Sequence, residues 1–150
     1  MGPAITDLED VCTTYQTDSR TNFWVAVDTT KIVTNVSNGG SSGIGNGITQ
    51  SNIVGSIAIT QKGDPSIAFL RRVAVDQNYR RLGIARKLVK CAISFCIEQN
   101  YDAIELVTTE AQNPARKLYE QEDFVHVKTN FLYHCFAMHH FSLALKKKNL

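Results

Sequence analysis

No stretch of the 150 residues reaches the roughly 18 apolar positions that a bilayer-crossing helix needs. The first thirty, rich in Asp and Thr, lack the pattern of a secretory signal. As written, the chain reads as soluble and cytoplasmic. A charge excess of one sign is also missing, since 16 Lys and Arg against 14 Asp and Glu leave only +2. That balance excludes the broad basic surface of a dedicated nucleic-acid binder. The four cysteines, Cys12, Cys91, Cys96 and Cys135, form no Cys-x-x-Cys pair, so buried free thiols are expected. What is present is 43% apolar residues with seven Phe, five Tyr and one Trp, which argues against disorder. A chain of this length buries about two thirds of its unfolded surface, so residues 1–150 read as a single domain with one core.

Apolar spacing predicts a helix over residues 5–18 and a strand over Phe23–Asp28, then a turn into a second short strand at Ile32–Val33. Residues 35–52 hold five glycines and little that packs, which marks a flexible loop; Asn35-Val36-Ser37 within it has no weight as a glycosylation sequon without a secretory route. Strands are expected at Ile53–Thr60 and Ile67–Val75 around the Lys62-Gly63-Asp64-Pro65 turn, and a long helix from about Tyr79 to Gln99. Beyond it come a strand at Ala103–Thr108, a short helix at Pro114–Gln121, and strands at Phe124–Val127 and Phe136–Leu145. The fold class is therefore α/β, a mixed and mostly antiparallel sheet flanked by helices. The interrupted apolar stretch Phe131–Leu145 suits a terminal strand that either closes in one subunit or is exchanged in a homodimer.

The most informative segment is Val73 to Arg86, in which a buried strand, Val73-Ala74-Val75, feeds a turn that opens the long helix. Backbone N–H groups at a helix start, the positive end of the dipole and a glycine that permits close approach favour an anion there. Arg80, Arg81 and Arg86 add charge. The spacing is neither Gly-x-Gly-x-x-Gly nor a P-loop ending in Gly-Lys-Ser/Thr, so dinucleotides and nucleoside triphosphates are disfavoured.

Arg80-x-x-Gly83-x-Ala85 after this strand resembles the Gln/Arg-x-x-Gly-x-Gly/Ala motif of the GCN5-related N-acetyltransferase (GNAT) superfamily. Ala115-x-x-Leu118-Tyr119-Glu120-x-x-x-Phe124 is similar to a second motif of that superfamily. Within it, Thr6 to Val11, Phe23 to Ala26 and the Gln112–Tyr119 spacing resemble the camello-like N-acetyltransferases, whose members carry a membrane segment just before the region matching Thr6. A chain cut from such a protein would belong to the endoplasmic-reticulum membrane, and Lys147-Lys148-Asn149-Leu150 would then read as a retrieval tail.

The resemblance implies the GNAT acyl-CoA N-acyltransferase fold and acetyl-CoA as cosubstrate, with no metal. It implies that Val73, Ala74 and Val75 hold the pantetheine arm through their backbone, with the next strand splayed away. Arg80, Arg81, Leu82, Gly83, Ile84, Ala85 and Arg86 would bind the pyrophosphate. Gln112 stands where many relatives have an asparagine that touches CoA, and Asn113 is its possible substitute. Tyr119 is the implied general acid, and Asp123 replaces a glycine whose position, if left-handed, Asp tolerates. In relatives with a side-chain base, that base stands at positions held here by Phe69 and Arg71, neither of which can serve. Glu105, Glu110, His126 and His134 are the other candidates. The alternation His134, Cys135, Phe136, read as a strand, sends neighbours to opposite faces and argues against a metal site.

The function expected is direct attack of a primary amine on the thioester, the amine being a cysteine S-conjugate, a protein lysine or another small molecule. Cys91 and Cys96, expected to be buried, are not needed as nucleophiles. The competing reading is a CoA-binding module that has lost catalysis, and a third is an interaction domain.

Overall fold

The computed structural model describes residues 18–28 and 52–146. The expected helix over 5–18, the strand at Ile32–Val33, the loop at 35–52, Cys12 and the Lys147-Lys148 tail lie outside the described residues. Six strands, β1 (Asn22–Asp28), β2 (Asn52–Gln61), β3 (Ile67–Val75), β4 (Ala103–Thr109), β5 (Val125–Leu132) and β6 (Phe136–Ala144), form one sheet in the order β1-β2-β3-β4-β6-β5. Every neighbouring pair is antiparallel except β3 and β4. The expected mixed, mostly antiparallel sheet is thus the one observed.

Helix α1 (Ile84–Glu98) makes the crossover between the two parallel strands, and α2 (Asn113–Gln121) links β4 to β5. The α1 residues Leu88, Val89, Ala92 and Cys96 recur at helical spacing and are all buried. They meet alternate sheet residues, Ile57 and Ile59 of β2, Ala68 and Leu70 of β3, Ile104 and Leu106 of β4 and Phe141 of β6, in one core cluster that also takes in Tyr119 of α2.

Helix α1 ends in a Schellman turn. Asn100 takes φ 59°, and the Tyr101 N–H donates to the Cys96 carbonyl at 3.0 Å. The Tyr101 ring is then fully buried, and its hydroxyl donates to the Arg20 carbonyl at 2.6 Å.

Three expectations need correction. The long helix starts at Ile84, not near Tyr79, because Gln77–Tyr79 form a 3-10 turn and Arg81 and Gly83 adopt left-handed φ values of 62° and 77° that no α-helix can contain. Strand β5 runs on to Leu132; as the edge strand it leaves Val125, Val127 and Phe131 exposed, so burial imposes no periodicity that its sequence could display. His134 and Cys135 lie in the β5–β6 turn, where Tyr133 and His134 have φ of 51° and 59°, so strand alternation does not apply to them.

Candidate active site

Strands β3 and β4 pair only from Ile67 opposite Ala103 to Phe69 opposite Glu105. Beyond that point β4 stays with β6 as far as Thr109, while β3 diverges. Among the described residues, the β4-facing backbone edge of β3 from Leu70 onward therefore has no partner strand, and such edges are ready templates for an extended chain of donors and acceptors.

A bulge lies at the point of divergence. Ser56 pairs with Ala74 and Ala58 with Arg71, so Ile57 alone faces both Arg72 and Val73. Arg72 sits at φ 57°, and the Ser56 hydroxyl donates to its carbonyl at 2.9 Å. The cleft thus opened holds about 430 Å³ and is lined by Phe23, Ser56, Leu70, Arg71, Arg72, Val73, Ala74, Leu106, Val107, Gln112 and Tyr119.

At one end β3 runs into the start of α1. The Asp76 carboxylate accepts the Asn78 N–H at 2.8 Å, and the Tyr79 hydroxyl donates to Asp28 at 2.6 Å, tying the turn to β1. That bond to a carboxylate pushes the Tyr79 phenol up from its usual range. Gly83 precedes the helix in the left-handed region; no side chain caps the first turn and no acidic residue lies in it. A Cβ placed on Gly83 would meet nothing within 4 Å. The positive end of α1 is therefore open to an anion. Arg80 donates through Nε to the Val75 carbonyl at 3.3 Å, while Arg86 is paired with Glu122.

At the other end stands Tyr119, 5% exposed, its ring edge-on to Phe124 at 5.8 Å and tilted against Phe141 at 6.2 Å. Burial pushes its phenol up to about 12. Asp123 has the anticipated left-handed backbone, φ 66°. It makes a second Schellman turn, in which the Phe124 N–H reaches the Tyr119 carbonyl at 3.0 Å and seats Phe124 against the Tyr119 ring. Thr108, buried on β4, donates to Gln112 at 2.7 Å, which orients that amide at the cleft wall.

Of the expected site residues, Val73, Ala74, Gln112 and Tyr119 line the cleft; Val75 and the segment Arg80–Arg86 follow it along the chain, at the end of β3 and the start of α1, without lining it; Asn113 begins α2 and does not line it. Phe69 is also absent from the lining, and Lys62 lies over its ring at 5.1 Å. None of Glu105, Glu110, His126 and His134 lines the cleft; all four are exposed, and His126 shares Thr129 with the buried His139. Cys96 is buried, its thiol pushed up to about 12, but Cys91, expected to be buried, is exposed because it falls one position beyond the core stripe of α1. Sequence reasoning missed Phe23, Ser56, Leu70, Arg72, Leu106 and Val107. A lone serine in the apolar run of β2 and adjacent arginines in β3 were the available signals.

Residues 7–124 match the Acetyltransferase (GNAT) family. The chain belongs to that family. It is 31% identical over 122 residues to the N-acetylaspartate synthetase of Xenopus tropicalis, across 81% of this chain and 37% of that one. A GNAT-family acetyltransferase structure from Staphylococcus aureus Mu50 covers 93% of the chain, and the chain covers 77% of it, at TM-score 0.68 and 26% identity. The NatC complex bound to Gag peptide and CoA shares the fold, with TM-score 0.63, 24% identity, and 83% and 71% of the two chains covered. The chain spans about a third of the length of the N-acetylaspartate synthetases that it matches. Among its described residues no helix is long and apolar enough to cross a membrane.

Proposed function

We propose that this GNAT domain is an acetyl-CoA-dependent N-acetyltransferase that acts on a primary amine by direct attack. The observation that carries the reading is the cleft where β3 parts from β4, with the buried Tyr119 in its wall, and the uncapped start of α1 just beyond the end of β3. The residues fit acetyl-CoA: the β3 edge offers strand-like hydrogen bonds to a pantetheine amide, and the open space above Gly83 admits a pyrophosphate. Bound there, acetyl-CoA supplies an activated acyl group and a thiol leaving group.

The amine nitrogen forms the new C–N bond with its lone pair as the C–S bond breaks, the sulfur leaving with the bonding electrons. One proton is lost from nitrogen to water, and one is gained by sulfur, so the products are the N-acetyl amide and the free thiol. A backbone N–H of the Val73–Val75 edge receives the charge that grows on the acetyl oxygen. Tyr119 donates toward the sulfur. Against a solvated thiol, with a pKa near ~8.5, a phenol at about 12 would be a poor acid. Desolvation in the cleft would raise the CoA sulfur in the same direction as Tyr119, which narrows that gap.

A CoA-binding module without turnover is the second reading, favoured by the lack of any carboxylate or imidazole among the described residues lining the cleft. Calorimetric titration with acetyl-CoA, followed by thiol release in the presence of an amine panel, separates the two. Binding with turnover supports the enzyme; binding without turnover for any amine supports the module.

A further inference from the structure

His139 sits in the middle of β6, 8% exposed, and takes no part in the steps above. In the sheet it stands between two threonines, Thr108 of β4 and Thr129 of β5, its register partners on either side. Directly opposed residues share a face, so all three lie on the helix-bearing side with Leu106 and Phe141. On the β5 side the imidazole is engaged: Nδ1 is 3.0 Å from the Thr129 hydroxyl, which is also 3.0 Å from Nε2 of the exposed His126. The other nitrogen of His139, Nε2, is buried and has no hydrogen-bond partner among the described residues. A buried polar atom left in that state is costly.

The neighbours decide whether Nε2 carries a hydrogen or a lone pair. With Nδ1 turned to β5, Nε2 lies toward β4, where Thr108 holds Gln112. The 3-10 turn Glu110–Gln112, which carries that amide, packs against β6. Thr108 has already given its one hydroxyl hydrogen to Gln112 Oε1 at 2.7 Å, so both oxygens of the pair present only lone pairs, and an N–H at Nε2 fits them. A neutral ring with its hydrogen on Nε2 has a bare Nδ1. Thr129 then donates to Nδ1 and accepts from Nε2–H of His126, and the polarity runs one way from the exposed edge strand to the cleft wall.

From this arrangement we infer, resting on the acetyltransferase reading, that His139 is a positioning residue: its Nε2–H donates into the Thr108–Gln112 pair and fixes the Gln112 amide with its NH2 toward bound acetyl-CoA. In the free protein that last bond is unmade, and a ligand on the Gln112 NH2 closes it, as the bonds of a site tighten in the complex. His139 touches no reacting atom and takes no proton from the amine.

The test uses the 150-residue chain with isotope-labelled histidine, read without and with acetyl-CoA by long-range proton–nitrogen NMR, which separates the two imidazole tautomers. His139 should be the Nε2–H tautomer in both states, with that proton moving downfield on binding. Calorimetry with acetyl-CoA then compares His139→Gln, whose amide nitrogen reaches the place of Nε2, with His139→Asn, whose amide reaches only that of Nδ1. Asparagine should weaken acetyl-CoA binding about tenfold, glutamine should recover most of that loss, and neither should matter in a Gln112→Leu background. An Nδ1–H tautomer in the complex would overturn the inference by itself, and it is read on the wild type, so it decides even where a variant fails to fold. Variants folded by circular dichroism that show no loss with asparagine, equal losses with both, or a loss that persists without Gln112 would overturn it too and leave the acetyltransferase reading intact. A folded wild type that does not bind acetyl-CoA would overturn both.

Discussion

Replacing Tyr119 with phenylalanine deletes one oxygen and leaves the ring, with its contacts to Phe124 and Phe141, where it is. Two consequences follow, one catalytic and one thermodynamic. If the hydroxyl donates to the departing sulfur, its loss should lower kcat by about a hundredfold, the lower end of general-acid effects, with little change in acetyl-CoA affinity. The thermodynamic consequence comes from burial, which holds the folded pKa at about 12 against an ordinary 10. With the folded value raised, the stabilisation is complete below pH 10 and is lost as pH climbs toward 12, because the unfolded phenol ionises first. A gap of this size corresponds to about 3 kcal/mol. Tyr101 and Cys96 are raised by burial too, so both proteins weaken in alkali. The difference between them isolates Tyr119. Urea unfolding from pH 8 to 11.5 should show wild type and Tyr119→Phe close together near pH 8 and the variant gaining relative stability above pH 10. Parallel curves across that range would refute the burial argument, and an unchanged kcat would refute the role at sulfur.

Gly83→Glu should keep the fold at a cost of about 1–2 kcal/mol for a side chain at φ 77°, while abolishing calorimetric binding of acetyl-CoA; retained binding would remove the helix start from the ligand site. Gly55→Ala adds a Cβ that meets the Ala74 carbonyl, Ile84 Cγ2 and Leu88 Cδ1, each at 3.2 Å. The Ala74 carbonyl is held in the sheet, so the Ile84 and Leu88 side chains at the start of α1 must give by a few tenths of an ångström, with a stability loss of about 1–3 kcal/mol in urea; a variant as stable as wild type would show that the contact is slack. With Cys12 changed to serine, a thiol reagent at neutral pH should label Cys91 and Cys135 in the native protein and reach Cys96 only on unfolding. Fast labelling of all three would contradict the packing of α1.

What the sequence determined by itself is local. The stripe Leu88, Val89, Ala92, Cys96 declares a buried helical face, Gly83 near its start a backbone that an anion can approach, and Asp123 after the second helix a residue type that tolerates a left-handed turn. All three are visible because periodicity and backbone preference act within a few residues. The tertiary structure alone decided the rest. The bulge that holds Arg72 in the left-handed region at the cleft exists only because β2 offers Ile57 against two residues of β3, and the register of a distant strand leaves no mark on the sequence of the strand it bends. The parting of β3 from β4 after Phe69, and with it the cleft, likewise arises from β4 holding to β6 through Thr109. Of the candidate bases, Glu105 falls on the exposed face of β4, Glu110 in the turn after it, His126 on the edge strand β5 and His134 in the β5–β6 turn. A side chain's residue type states its chemistry, but only the packing of separate strands states what it faces.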